Sequence, residues 1–230
     1  ISWFFQTIGI LIGSIWAYYE LGWGGYWFWD PVENSSLMPW FLMTALIHSI
    51  LILQRKDGIY LWVVVLSILT FTMSVTGTFL VRSGVLNSVH TFANDPSRGL
   101  YILTFLTLMI FMSVFIFYKY APKESRSFEF LSKEFYILIN NWFMIFFLIV
   151  VLIGTLYPIT LEVFSGQKIS VGPPYYNIVM VPFLIPFLFF VSYGPQAKWH
   201  HSGIFYNIKR NFFIILFSIF IVLTFFYLTK

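Results

Sequence analysis

The chain alternates between long apolar runs and short polar or charged breaks. Seven runs stand out, at residues 1–19, 37–53, 60–81, 100–118, 137–157, 177–194 and 211–229. Each is close to the ~20 residues a helix needs to cross a bilayer core, and the shortest are marginal. Backbone N–H and C=O groups in lipid find no water, so such runs fold as helices whose hydrogen bonds close internally. The pattern predicts an all-α, polytopic integral membrane protein. Residues 1–230 form a single membrane domain with about seven transmembrane helices, and no repeat or low-complexity linker divides it.

Composition supports this class. Hydrophobic residues make up 59% of the chain and charged residues 10%, against roughly 25% charged in soluble domains. Mean hydropathy is +0.83. There are no cysteines, so any thiol in the chemistry comes from a partner. The net charge of +4 requires no nucleic acid, because the basic residues flank apolar runs. The chain opens Ile1-Ser2-Trp3-Phe4 without a methionine or a basic leader, so no signal peptide is read. It ends at Lys230 directly after an apolar run, and the expectation is an internal stretch of a longer protein.

Charge also orients the spans. Nine of the 13 basic residues fall in one set of breaks: Arg55 and Lys56, the mixed-charge 119–136 segment, and the 198–210 segment. The positive-inside rule places that set in the cytoplasm or matrix. Three other breaks then face outward: 20–36, 82–99 and the proline-rich 158–176. They are candidates for one shared external site.

The first outward break carries the strongest chemistry. It reads Trp23-Gly24-Gly25-Tyr26-Trp27-Phe28-Trp29-Asp30-Pro31-Val32-Glu33-Asn34. Glycines allow a tight turn and the close approach of a flat group. Asp30-Pro31 is expected to stop regular structure. An interfacial belt of Trp and Tyr is the plain alternative, but belts do not need a Gly-Gly turn inside the aromatic cluster. The stretch reads as an aromatic ligand platform with two carboxylates, Asp30 and Glu33.

The histidines are unequal. His48 lies eleven residues into its run, so ~16 Å deep at 1.5 Å per residue, near mid-bilayer. An ionisable group there is a functional candidate, and neutral imidazole is a standard axial ligand for heme iron. Hydrogen bonding to a neighbouring helix is the competing role. His90 sits on the outward side with the platform and is a second candidate iron ligand; otherwise it is a polar surface residue. His200 and His201 read as interfacial. Arg82 and Arg98 close outward ends of spans, where a guanidinium fork suits a carboxylate such as a heme propionate. Snorkelling at a helix end explains them equally well.

The platform resembles the tryptophan-rich WWD signature of heme-handling membrane proteins, the CcmF/CcsA group. Three later stretches carry the likeness to CcmF-type cytochrome c heme lyases: Thr76-Gly77-Thr78-Phe79-Leu80-Val81-Arg82-Ser83-Gly84-Val85-Leu86, Ser88-Val89-His90-Thr91-Phe92 and Lys168-Ile169-Ser170-Val171-Gly172-Pro173-Pro174-Tyr175. The resemblance implies transient heme on Trp23, Gly24, Gly25, Trp27, Trp29 and Asp30, with His90 as one of two flanking iron ligands. It implies His48 as a ligand of a transmembrane heme b whose partner histidine lies beyond this stretch, leaving that site incomplete here. It implies delivery of heme by the chaperone CcmE, and thioether attachment to an apocytochrome c presented by a CcmH-type thiol-handling subunit. The setting would be a bacterial inner membrane with a periplasmic site, or the mitochondrial inner membrane. Two other functions compete. A b-type cytochrome subunit needs paired buried histidines, and the spans hold one. A transporter usually carries charges or broken helices at the midplane; here charges are nearly absent, although Pro182 and Pro186 interrupt the sixth run.

Overall fold

A computed structural model describes residues 1–22, 24–55, 59–85, 88, 95–121, 132–167, 169–199, 212 and 216. These residues form six α-helices: α1 (Ser2–Glu20), α2 (Pro31–Arg55), α3 (Tyr60–Arg82), α4 (Pro96–Tyr120), α5 (Lys133–Ser165) and α6 (Pro173–Tyr193). A short 3-10 turn, Gly194–Gln196, follows α6. Helix α2 is central: α1, α3 and α5 pack on it, while α4 packs on the far side of α3 and α6 on α5. The core lies along α2 and α5, where Met38, Leu42, Ala45, Phe147 and Val151 are buried.

The all-α class holds, but the count of about seven spans is not confirmed among the described residues. Five described helices, α2 to α6, are long and apolar enough to cross a membrane. Helix α1 is not among them, because Gln6, Ser14 and Glu20 dilute its 19 residues. The run at 211–229 lies outside the described residues apart from Phe212 and Leu216.

Proline placement accounts for the other differences. Asp30-Pro31 begins a helix instead of ending structure, and so does Asp95-Pro96. At the first helical position the missing N–H has no partner to lose, and φ is already helical. Pro173 and Pro174 open α6 in the same way. Helix α5 runs through Pro158 to Ser165, so the expected 158–176 break contracts to residues 166–172. Helix α6 also runs unbroken through Pro182 and Pro186.

Pro39 does different work inside α2. It cannot donate to the carbonyl four residues earlier, so it leaves the Ser35 oxygen without its helical partner. Helix α3 comes close at that point: a Cβ on Gly77 would lie 2.8 Å from the Ser35 oxygen. Gly77→Ala is expected to cost about 1–3 kcal/mol by forcing the two helices apart, read as a lowered thermal midpoint of the solubilised protein. Gly13→Ala, with nothing within 4 Å of the new methyl, should leave the midpoint unchanged.

The candidate heme platform

The platform lies between α1 and α2, and its carboxylates first do a structural job. Asp30 Oδ2 accepts the Val32 N–H at 3.0 Å. Glu33 Oε2 accepts the N–H groups of Asp30 at 3.1 Å and Phe28 at 3.0 Å. This reciprocal pair is a capping box, which satisfies backbone donors at the start of a helix and puts negative charge where the helix dipole favours it. Asp30 Oδ2 also accepts the Ser88 hydroxyl at 2.6 Å, which ties the 82–99 break to the platform.

The aromatic side chains are held in specific orientations. Gly22 and Gly24 take the left-handed turns, at φ 62° and 73°. Gly25 allows close approach, and the group that approaches is the chain's own Phe28 ring: a Cβ would lie 3.0 Å from it. Trp29 has φ 58°, a left-handed conformation that non-glycine residues rarely hold. Its ring stacks on Tyr176 at 4.4 Å between centroids and 9° between planes, and meets Trp27 edge-on at 6.1 Å. Its carbonyl accepts the Asn34 side-chain amide at 3.0 Å.

A cavity of about 400 Å³ opens beside this arrangement. Its walls include Trp29 and Asp30 from the platform, Val85 after α3, Glu162 on α5, Val171 before α6, and Tyr176. The cavity thus draws on all three breaks that the charge pattern assigned to one side. A second cavity, about 330 Å³, lies between Trp27 and α1, where Gly9 and Gly13 keep the helix surface low.

The remaining predicted site residues are more dispersed. Arg98 is engaged with Asp95 at 3.1 Å on the surface, and its backbone N–H is capped by the same carboxylate. Arg82 ends α3 and is exposed. Trp23 and His90 lie outside the described residues, as do His200 and His201. His48 is half-buried on α2, and its Nδ1 is buried without a hydrogen-bond partner among the described residues. Because α2 begins at Pro31, His48 sits ~26 Å along the helix from the platform and ~10 Å from Arg55. It belongs to a different level of the bundle. The neighbouring Ser49 accepts the Asn141 side-chain amide at 2.7 Å, joining α2 to α5.

Sequence reasoning missed Asn34, Thr155 and Tyr176 as parts of the site. The Asp-x-x-Glu spacing signals the capping box, but nothing local signals the pairing of Asn34 with Tyr176, 142 residues away.

Fold and site together define a polytopic helical membrane protein with an aromatic cleft at one end of the bundle. A family model described as "Cytochrome C assembly protein" matches residues 1–87. The chain is 49% identical to the cytochrome c-type biogenesis protein CycK of Bradyrhizobium diazoefficiens, over 89% of this chain and 31% of that protein. It is 48% identical to CcmF of Pseudomonas aeruginosa and 45% identical to CcmF of Escherichia coli, in each case over 86% of this chain and 31% of the relative. The solved structure of a cytochrome c heme lyase CcmF superposes with a TM-score of 0.67 at 29% identity, covering 87% of this chain and 29% of that one. Along most of its length the chain is similar to the CcmF and CycK cytochrome c-type biogenesis proteins, and it spans about 31% of the length of these relatives.

Proposed function

We propose that this chain carries the heme-presenting part of a cytochrome c heme lyase. The observation that carries the reading is the convergence of three separate breaks on one aromatic cavity at one end of the bundle. Its walls suit a flat, largely apolar substrate with an anionic edge: an indole face for stacking, with the exposed Arg82 and Arg98 near the same end. Trp29 would stack the macrocycle. Trp27, edge-on to Trp29 and bordering the neighbouring cavity, and Trp23 would add aromatic contact at its margin, and Gly24 and Gly25 shape the turn that carries them. His90 would hold the iron from the adjoining break, and either arginine would hold a propionate, Arg82 directly and Arg98 only by leaving its ion pair with Asp95. Asp30 acts by fixing the start of α2 and anchoring Ser88.

Heme supplies the vinyl groups to which the two thiols of an apocytochrome c Cys-x-x-Cys-His site add. The protein binds and orients. Heme comes from the chaperone CcmE, and the apocytochrome is presented by a CcmH-type subunit. The platform then faces the periplasm of a bacterial inner membrane, or the equivalent outer side of the mitochondrial inner membrane.

His48 fits a second heme. A neutral imidazole half-buried in an apolar helix is of the type that would hold a transmembrane heme b, and His48 is the residue of this chain that would do so. A full-length protein purified from the membrane is expected to show b-type absorbance bands, and His48→Ala should remove most of them. A wild-type protein with no heme absorbance contradicts the reading and favours a transporter. An unchanged spectrum in His48→Ala returns His48 to helix packing.

A further inference from the structure

We infer that Asn34, Thr155 and Tyr176 form a buried clamp that holds Trp29 in the orientation in which the platform takes the porphyrin; this rests on the heme assignment above. Each member comes from a different helix, and each is nearly inaccessible: Asn34 is 0% exposed, Thr155 2% and Tyr176 1%. The Asn34 amide nitrogen lies within hydrogen-bond distance of three acceptors, the Trp29 carbonyl at 3.0 Å, Thr155 Oγ1 at 3.1 Å and the Tyr176 hydroxyl at 3.0 Å, and its two N–H groups are shared among them. The Thr155 hydroxyl donates onward to the Val151 carbonyl at 2.7 Å, so Thr155 receives the amide as an acceptor. Asn34 therefore holds the Trp29 backbone and orients the ring stacked on the Trp29 indole.

Helix packing alone does not require this arrangement. Leucine would join α2, α5 and α6 without burying polar atoms, whose burial is unfavourable unless every one is hydrogen-bonded. Here one is not: Asn34 Oδ1 is buried without a partner among the described residues. The residue being held is itself unfavourable, a tryptophan at φ 58°. Local costs of this kind persist where the surroundings over-determine them and gather at functional sites. Gly154 supplies the room, since a Cβ there would meet the Tyr176 hydroxyl oxygen at 2.5 Å. With one face covered by Tyr176 at 4.4 Å, Trp29 offers a ligand only its other face and its edge. The clamp thus decides which side of the platform can stack. Asn34, Thr155 and Tyr176 are positioning residues, since they act through Trp29.

The test uses the full-length protein labelled with 5-fluorotryptophan, the Trp29 ¹⁹F resonance being assigned by its loss in Trp29→Phe. Reporter cytochrome c maturation is measured in parallel and normalised to membrane protein level. Asn34→Leu and Gly154→Ala should shift or broaden the Trp29 resonance and lower maturation roughly tenfold or more, the scale expected when a positioned group moves by about 1 Å. Tyr176→Phe keeps the ring and should change both readouts less, and Thr155→Ser should restore what Thr155→Val loses. The inference is overturned if the Trp29 resonance moves while normalised maturation stays at the wild-type level. It is also overturned if no clamp variant moves the resonance. If Trp29→Ala itself matures the reporter normally, the platform assignment fails and the clamp with it. A functional Trp29 alongside inert clamp variants overturns the clamp alone.

Discussion

His90→Ala should lower maturation of a reporter cytochrome c by more than about tenfold while much of the heme remains associated with the protein. The two effects separate because stacking and ligation do different work. Aromatic contact supplies affinity, roughly 0.5–1.5 kcal/mol per ring pair beyond area burial. Axial ligation fixes the iron's position and sets its potential. Loss of an outer-shell group alone typically costs 10–100-fold at a metal site, and loss of the ligand should cost no less. Small imidazole added to the cells should refill the axial position and recover part of the activity. Maturation at the normal rate in His90→Ala would remove His90 from the site.

Replacing Trp27 and Trp29 together should abolish most heme loading at the platform, whereas Trp27→Ala alone should weaken it. The asymmetry follows from how each ring is held. Trp27 meets its neighbour edge-on at 6.1 Å and otherwise borders the cavity beside α1. Trp29 stacks on a fully buried tyrosine and, itself partly buried, packs against the main core, so its loss also costs stability, below the roughly 3–5 kcal/mol of a fully buried Trp→Ala. Membrane protein level must therefore be measured beside heme content. A double variant that inserts normally and loads heme normally would reduce the cluster to an interfacial aromatic belt.

Much of the fold could be read from the apolar periodicity, because a helix in lipid must be long and nearly uncharged. That criterion finds α2 to α6 but overrates α1, which carries Gln6 and Glu20. It also places helix ends poorly wherever proline marks them. Asp30-Pro31 looks like a breaker in isolation. With Glu33 three residues on, the same pair is an N-cap with proline at the first helical position. The shift moves the start of α2 by six residues and changes the depth assigned to His48. Although the room at Gly25 is taken by the chain's own Phe28 ring, the aromatic cluster could be read from the sequence. Its support could not. Trp29, Asn34, Thr155 and Tyr176 come together only through the packing of α2, α5 and α6, and no local pattern couples positions that far apart.

Every part of the heme reading requires the platform end of the bundle to lie outside the membrane, where an apocytochrome c and its thiols can reach it. The chain contains no cysteine, which allows a direct measurement. Single cysteines are placed in an otherwise cysteine-free full-length protein, at Tyr26 and Ile169 on the platform end and at Tyr120 on the opposite end, all three exposed. Intact cells are then treated with a membrane-impermeant maleimide. Labelling at positions 26 and 169, with position 120 labelled only after the membrane is opened, is the predicted result. Labelling of position 120 alone in intact cells would put the platform on the inner side and contradict the account.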